Sequence, residues 1–130
     1  MTLLDAIEEY LEDEGIGTIG TDIFDGELPL DGTDIISLIL SPSPEPNKAI
    51  PYYTQYVDIW ARFKNYDDGY SKLQDIFDLL HQKENYELTD YHVYLSYSVG
   101  MIDDLDRDAE RRHLFKLTLG FVYREGSGTS

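Results

Sequence analysis

The segment LFKLTLGFVYR, residues 114–124, alternates between two sets of side chains over its whole length. One set is uniformly apolar or aromatic: Phe115, Leu117, Leu119, Phe121 and Tyr123. The other is mixed: Leu114, Lys116, Thr118, Gly120, Val122 and Arg124. A period of two over this length is typical of a β-strand that buries one face. We therefore predict a half-buried strand at the end of the chain.

A second alternating segment, His92 to Val99, precedes the first. Its apolar set is Val93, Leu95, Tyr97 and Val99, and the opposite set is His92, Tyr94, Ser96 and Ser98. A strongly charged crossing, DDLDRDAERR at residues 103–112, separates the two segments. We expect an amphipathic strand pair with ionic groups gathered at one edge. Such a surface suits a partner and shows no evident catalytic machinery.

The N-terminal residues 2–14 predict an amphipathic helix that starts at Thr2 as N-cap and stops at Gly15. Its apolar face would consist of Leu3, Leu4, Ile7, Tyr10 and Leu11. The opposite face would carry the acids Glu8, Glu9, Glu12, Asp13 and Glu14. We expect these acids either in solvent or against the basic groups of a partner.

The middle of the chain predicts three strands and a second helix. The strands are predicted at residues 16–24, 35–40 and 53–64, and the second of them should lie centrally in a sheet because it is apolar on both faces. A turn at residues 65–69 then leads to a helix over residues 70–83. The four prolines of residues 41–51 predict either a long crossover loop or an arm that reaches a neighbouring subunit. The order α-β-β-β-α-β-β predicts a single α+β domain over 1–125, with two helices packed on a mostly antiparallel sheet, and a flexible tail at 126–130.

The composition is that of a strongly acidic domain without cysteine. The chain has 130 residues, with 26 acidic and 10 basic side chains, and a formal net charge of -16. This charge argues against binding free nucleic acid or an anionic membrane, because both require lysines and arginines to neutralise phosphates. No apolar run approaches the roughly 18 residues of a membrane span. The acidity fits solubility, a high-salt host, mimicry of DNA, or a channel through which a polyanion slides.

Three sequence patterns that resemble reactive sites are incomplete. The histidines His81, His92 and His113 are scattered, without the paired spacing of a zinc hydrolase. Residues 104–108 begin like a calcium loop, but Ala109 and Phe115 stand where that loop needs glycine and glutamate. This leaves a mixed-charge turn as the expectation, with a loose divalent site between subunits as the alternative. The glycine cluster at 15–20 follows a helix instead of a strand, unlike a dinucleotide-binding turn. We therefore predict no catalytic, cofactor or metal site, and a protein that is not an enzyme.

Three segments carry a resemblance to a known family. They are MTLLDAIEEYLEDEGIGTIGTDIFDGELP (1–29), YVDIWARFKNYDDGYSKLQDIFDLL (56–80) and DLDRDAERRHLFKLTLGFVYRE (104–125). The first segment predicts an opening helix that leads into a strand, the second a sheet strand followed by its covering helix, and the third a charged turn before a final alternating strand. This arrangement resembles the tail terminator proteins of long-tailed bacteriophages, often described as minor capsid or tail completion proteins.

The resemblance implies a structural virion protein. Family members form a ring, typically a homo-hexamer, that caps the tail tube protein, ends tube growth and joins the head–tail connector protein. It further implies a place in the virion tail or neck, in the host cytoplasm during assembly, and a lumen that the genome crosses without specific binding. Six acidic subunits would repel one another, so added salt or a divalent cation should strengthen assembly.

Tyrosine, tryptophan and arginine are the side chains that most often anchor interfaces. The candidate contacts between subunits and with partners are therefore Tyr56, Trp60, Arg62, Arg107, Arg111 and Arg112. Trp60 would equally fit the core. Alternatives from the sequence are an acidic inhibitor that mimics DNA and blocks a nucleic-acid enzyme, a neighbouring neck or head-completion protein, and a small enzyme with an unrecognised site.

Overall fold

The computed structural model describes residues 2–29, 32–42 and 52–126. The helices are α1 (Leu3–Asp13) and α2 (Tyr66–Leu80); the strands are β1 (Ile23–Asp25), β2 (Ile35–Ser41), β3 (Tyr53–Phe63), β4 (Lys83–Leu88), β5 (Tyr91–Ser98), β6 (Asp103–Arg107) and β7 (His113–Glu125). The predicted α+β fold and the predicted order of elements are confirmed, and β4 and β6 are additional strands. The predictions of an arm at 41–51 and a tail at 126–130 fall almost entirely outside the described residues.

The strands form a single sheet in the order β1-β2-β3-β7-β5-β4, and β6 pairs with the first residues of β7. All pairs are antiparallel except β1 with β2. The centre is the long pair of β3 and β7, which runs in register from Tyr53↔Tyr123 to Phe63↔His113. β2 has a neighbour on each side, which fits its apolar sequence. The predicted strand at 16–24 shrinks to β1, because glycines interrupt it.

One face of the sheet carries both helices, and we call it the covered face. The alternation predicted for β7 is confirmed there, since Phe115, Leu117, Leu119 and Phe121 are fully buried. The core also includes Val57, Ile59 and Ala61 of β3, Leu3, Ile7 and Leu11 of α1, and Leu73, Ile76 and Leu80 of α2. Each such large side chain contributes roughly 1.5–3 kcal/mol through its removal from water. The core therefore lies between the sheet and one layer of helices.

The helix ends are fixed by capping groups. In α1 the Thr2 hydroxyl accepts from the Asp5 amide at 3.2 Å, while the Asp5 carboxylate accepts from the Thr2 amide at 3.3 Å, which closes the predicted capping box. In α2 the side chain of Asn65 accepts from the amides of Asp67 (2.9 Å) and Asp68 (3.2 Å). The predicted turn at 65–69 is therefore wrong: it is the first turn of α2, and this helix ends at Leu80.

The predicted alternation of the strand at 92–99 is interrupted by a bulge. Val93 pairs with Tyr123, but Leu95 pairs with the next residue of β7, Val122, so one residue of β5 is extra. Ser96 consequently takes the buried side, where its hydroxyl donates to the carbonyl of Leu80 at 2.7 Å. The prediction that Leu95 shares a face with Val93 is wrong, because a bulge reverses the phase of every later side chain.

Candidate interaction surfaces

The face of the sheet opposite the helices carries a row of half-buried aromatic side chains, and we call it the open face. Tyr56 and Trp60 project there from β3, and Tyr97 projects there from β5, across Gly120 of β7. A Cβ atom at Gly120 would lie 2.6 Å from the Tyr97 ring. The Tyr97 ring can therefore pack against β7 at this position only because the residue is glycine. Burial raises the pKa of Tyr97, and its hydrogen bond to Tyr56 raises the pKa further.

Trp60 is half-buried at the centre of the open face and is not part of the core. The ammonium group of Lys116 lies over its ring, 5.8 Å from the ring centroid, a cation–π contact. Beside it the hydroxyl of Thr118 donates to the carboxylate of Asp58 at 2.6 Å. The open face therefore offers aromatic surface with its polar groups already paired within the chain.

Arg62 is buried, with 6% of its surface exposed. Its guanidinium donates to the carbonyl of Gly32 from Nε at 3.0 Å and from Nη2 at 2.8 Å, and Nη2 also donates to the carbonyl of Pro29. These bonds join β3 to the chain between β1 and β2. The structure thus gives this interface candidate an internal role, since buried guanidinium groups need such partners.

Arg112 is also bound within its own chain. Its Nε lies 2.8 Å from the Asp108 carboxylate, Nη2 lies 3.3 Å from that of Glu110, and Nη1 donates to the carbonyl of Gly32 at 2.9 Å. Burial alone would raise the pKa of Asp108, but hydrogen bonds, first that from the Arg112 amide, outweigh it and lower this pKa. Arg62 and Arg112 therefore donate to the same carbonyl, that of Gly32. Arg112 thereby links the charged turn (residues 103–112) to the connection between β1 and β2.

The remaining two candidates, Arg107 and Arg111, are exposed. Arg107 ends β6 opposite His113, and Arg111 adopts a left-handed φ of 63° in the turn before β7. The structure brings Tyr56 and Trp60 together on the open face and gathers these two arginines at the charged turn. The six candidates thus form three pairs. Tyr56 and Trp60 are aromatic residues of the open face, Arg107 and Arg111 are exposed, and Arg62 and Arg112 are bound within their own chain.

An acidic cluster that the sequence did not reveal lies on the helix side of the sheet. Ligand atoms of Asp5, Glu8 and Asp25 lie within 4.8 Å of one another, the one such group of three among residues 2–29, 32–42 and 52–126. Burial raises the pKa of Glu8 to about 7, and the charge and hydrogen bond of Asp25 and the charge of Asp5 add to the rise. The prediction that Glu8 faces solvent or a partner is wrong, because only 4% of its surface is exposed.

The sequence did contain a signal for the burial of Glu8. It lies four residues after Leu4 and three before Leu11, so helical spacing places it within the apolar arc of α1. Two other acids of this helix hold neighbouring segments: Glu12 accepts from the Ile19 amide at 2.8 Å, and Glu9 accepts from the Thr89 hydroxyl at 2.7 Å. Some of the acidic side chains of α1 are therefore hydrogen-bonded to other segments of the same chain.

A family model matches most of the chain. The model is that of the bacteriophage tail terminator protein, and it matches residues 10–124, from within α1 to the end of β7. The chain belongs to the bacteriophage tail terminator family. A comparison with curated proteins gave no match.

Membership confirms the family predicted from the sequence and assigns a structural role. Tail terminators are structural components of the virion tail that associate with tail and head components. Among the described residues of this tail terminator, neither helix has the length and apolarity needed to cross a bilayer.

Proposed function

We propose that this tail terminator closes into a ring of identical subunits, six in number, that caps the tail tube, ends its growth and joins the head–tail connector. The observation that carries the proposal is the open face, where Tyr56, Trp60 and Tyr97 form an aromatic patch. In the described part of the chain both helices lie on the other face of the sheet. Interface centres are enriched in such residues and are depleted of charge.

The open face of the central strands carries more exposed or half-buried basic side chains than acidic ones. On this face β3 and β7 present Lys116 and Arg124 against a single acid, Asp58, while the buried Arg62 is bound within the chain. In a chain with 26 acidic and 10 basic residues, this is the surface that a second acidic copy approaches with least repulsion. The charge distribution therefore supports contact between copies at the open face.

A ring needs two different patches on every subunit, because a head-to-tail contact joins unlike surfaces. The open face supplies one patch. We assign the second to the charged turn, where Arg107 and Arg111 are exposed while Arg112 and Asp108 hold the turn in shape. Arginine is suited to this place since its planar group stacks on aromatic rings, which the open face of a neighbouring subunit offers at Tyr56 and Trp60.

Electron microscopy of the purified protein with purified tail tubes tests this function. We expect free rings and rings seated at one end of each tube, and no further tube growth where a ring is bound. The double variant Tyr56→Ala with Trp60→Ala should give monomers and uncapped tubes. Tyr70→Ala, which removes an exposed aromatic side chain on α2, is the matched control and should form rings.

A salt series separates attraction at the interface from repulsion between whole subunits. We expect light scattering to show more assembly as salt rises from about 50 to about 300 mM, because screening weakens the mutual repulsion of acidic copies. Solitary wild-type protein at high concentration that leaves tail tubes uncapped would refute the proposal.

A further inference from the structure

A cleft of about 640 Å³ lies on the helix side of the sheet, away from the open face. Its floor consists of Leu40, Gln55 and Tyr123 from three neighbouring strands, and its wall is the first turn of α1 with Leu3 and Leu4. The helices cover the sheet elsewhere, but α1 begins only at Leu3 and so leaves this corner accessible. The cleft is large enough for two or three side chains of another polypeptide.

The floor of the cleft is apolar and aromatic. Leu40 has 54% of its surface exposed, although the first four residues of its strand are buried. Tyr123 packs against Tyr53 and Tyr91, with ring centroids 5.8 Å and 5.6 Å away. An apolar side chain that covered Leu40 and these rings would remove surface from water that the isolated subunit leaves exposed.

The charged side chains that line the cleft are all acidic. Asp5, Asp25 and Glu125 line it, and none of its described lining residues is a lysine, arginine or histidine. Behind them the buried carboxyl of Glu8 lies within 4.8 Å of those of Asp5 and Asp25. Because like charges at this distance oppose one another, a single cationic group placed among them would be stabilised by all of them.

A strand edge borders the cleft. β1 ends at Asp25, opposite Leu38, and the amide of Gly26 makes one more bond to the Leu38 carbonyl at 2.9 Å. The chain then turns away at Gly26, which has a φ of 78°, whereas β2 continues to Ser41. No strand of the described ranges pairs with this edge of β2 at Leu40, so an extended segment can continue the line of β1 there.

We propose that the cleft binds an extended segment of another protein that presents a lysine or arginine between apolar residues. The apolar residues cover Leu40 and Tyr123, and the cationic group lies between Asp25 and Glu125. This assignment follows from the shape, the apolar floor, the strand edge and the uniform charge together. It does not depend on ring formation, because the cleft and the open face lie on opposite sides of the sheet.

Selection of a random seven-residue peptide library on the purified full-length protein tests this inference without a known ligand. We expect enriched peptides to carry one lysine or arginine with apolar residues on both sides. An enriched peptide should bind at least tenfold more weakly to the double variant Asp25→Asn with Glu125→Gln, and more weakly to Leu40→Ser. Asp75→Asn, an exposed acid on α2, should leave binding unchanged.

The variants are chosen so that a loss of peptide binding cannot be caused by a loss of the fold. Asp5 closes the capping box of α1 and is left intact, whereas neutral Asn at position 25 relieves the crowding of carboxylates around Glu8. Thermal unfolding of each variant verifies the fold. Three results would overturn the proposal: no enrichment, enrichment that persists undiminished in the double variant, or binding that appears only after a glycine–serine linker replaces residues 43–51, which would assign the cleft to the chain's own segment.

Discussion

The two faces of the β3–β7 pair come from the same twenty-four residues and have opposite characters. On the covered face Ile59 and Leu117 pair and are fully buried, whereas the adjacent pair Trp60 and Lys116 on the open face is half-buried. The covered face is completed by the chain's own helices. The open face has no such partner among the described residues. The covered face therefore supplies the stability, and the open face is the surface that our proposal assigns to assembly.

The largest expected effect is the loss of a core side chain. Phe115→Ala should lower the free energy of unfolding by about 3–5 kcal/mol, because a large cavity opens beneath α2. Lys116→Ala, one residue away on the open face, should change it by less than about 1 kcal/mol. Urea unfolding of both variants at the same pH measures the difference. Equal losses would show that the two faces do not divide stability and assembly as described.

A second effect concerns Glu8, the one carboxylic side chain that is buried among the described residues. The folded-state pKa of Glu8 is about 7 against an ordinary value of 4.5, so the folded protein binds an extra proton between these values. The contribution of Glu8 to stability should therefore be fully present below about pH 4.5 and be lost as pH rises to 7, a fall of roughly 2 kcal/mol. In Glu8→Gln this loss should disappear from urea unfolding curves measured across that range.

The matched control for this pH dependence is Asp13→Asn, which removes an exposed acid at the other end of α1. It should keep the wild-type fall in stability between pH 4.5 and 7. A Glu8→Gln variant that loses stability over this range as steeply as the wild type would contradict the assignment of the proton to Glu8.

Two glycines give a finer comparison, since a Cβ atom at either would lie 2.6 Å from an aromatic ring. Gly69→Ala presses on fully buried Phe115 and should lower stability by about 1–2 kcal/mol, part of the strain being offset by the better helix propensity of alanine. Gly120→Ala presses on half-buried Tyr97, which can swing outward, so it should lower stability by less than about 1 kcal/mol and weaken assembly instead. Thermal unfolding and light scattering separate the two outcomes; the reverse ranking would contradict the comparison.

The sequence predicted the centre of the fold better than its borders, and the reason is physical. β3 and β7 bury one face, so their apolar residues alternate visibly. β4 and β6 are edge strands that carry many exposed charged residues, and such charges protect an edge from unwanted pairing. Because these charges interrupt the alternation of apolar and polar residues, the sequence pattern did not predict the two strands. The start of α2 was misplaced because Asn65 serves equally as a turn residue and as an N-cap.

The interface candidates were chosen by residue type, and type alone does not reveal exposure. Tyr56 and Trp60 were placed on one face by their spacing along β3, and the structure keeps them together there. Arg62 has the same spacing but is buried, because the carbonyls that it binds come from a distant connection. The cleft was not predicted, since it joins α1, β1 and the end of β7, which only tertiary structure brings together.

The fluorescence of Trp60 tests the central claim most directly, because it is the chain's one tryptophan and lies at the centre of the open face. Its emission and its quenching by acrylamide should be recorded across a concentration series, alongside light scattering. If the open face joins subunits, emission shifts to shorter wavelength and quenching falls at the concentration where rings form. Rings that form while Trp60 remains as accessible as in the monomer would contradict the account.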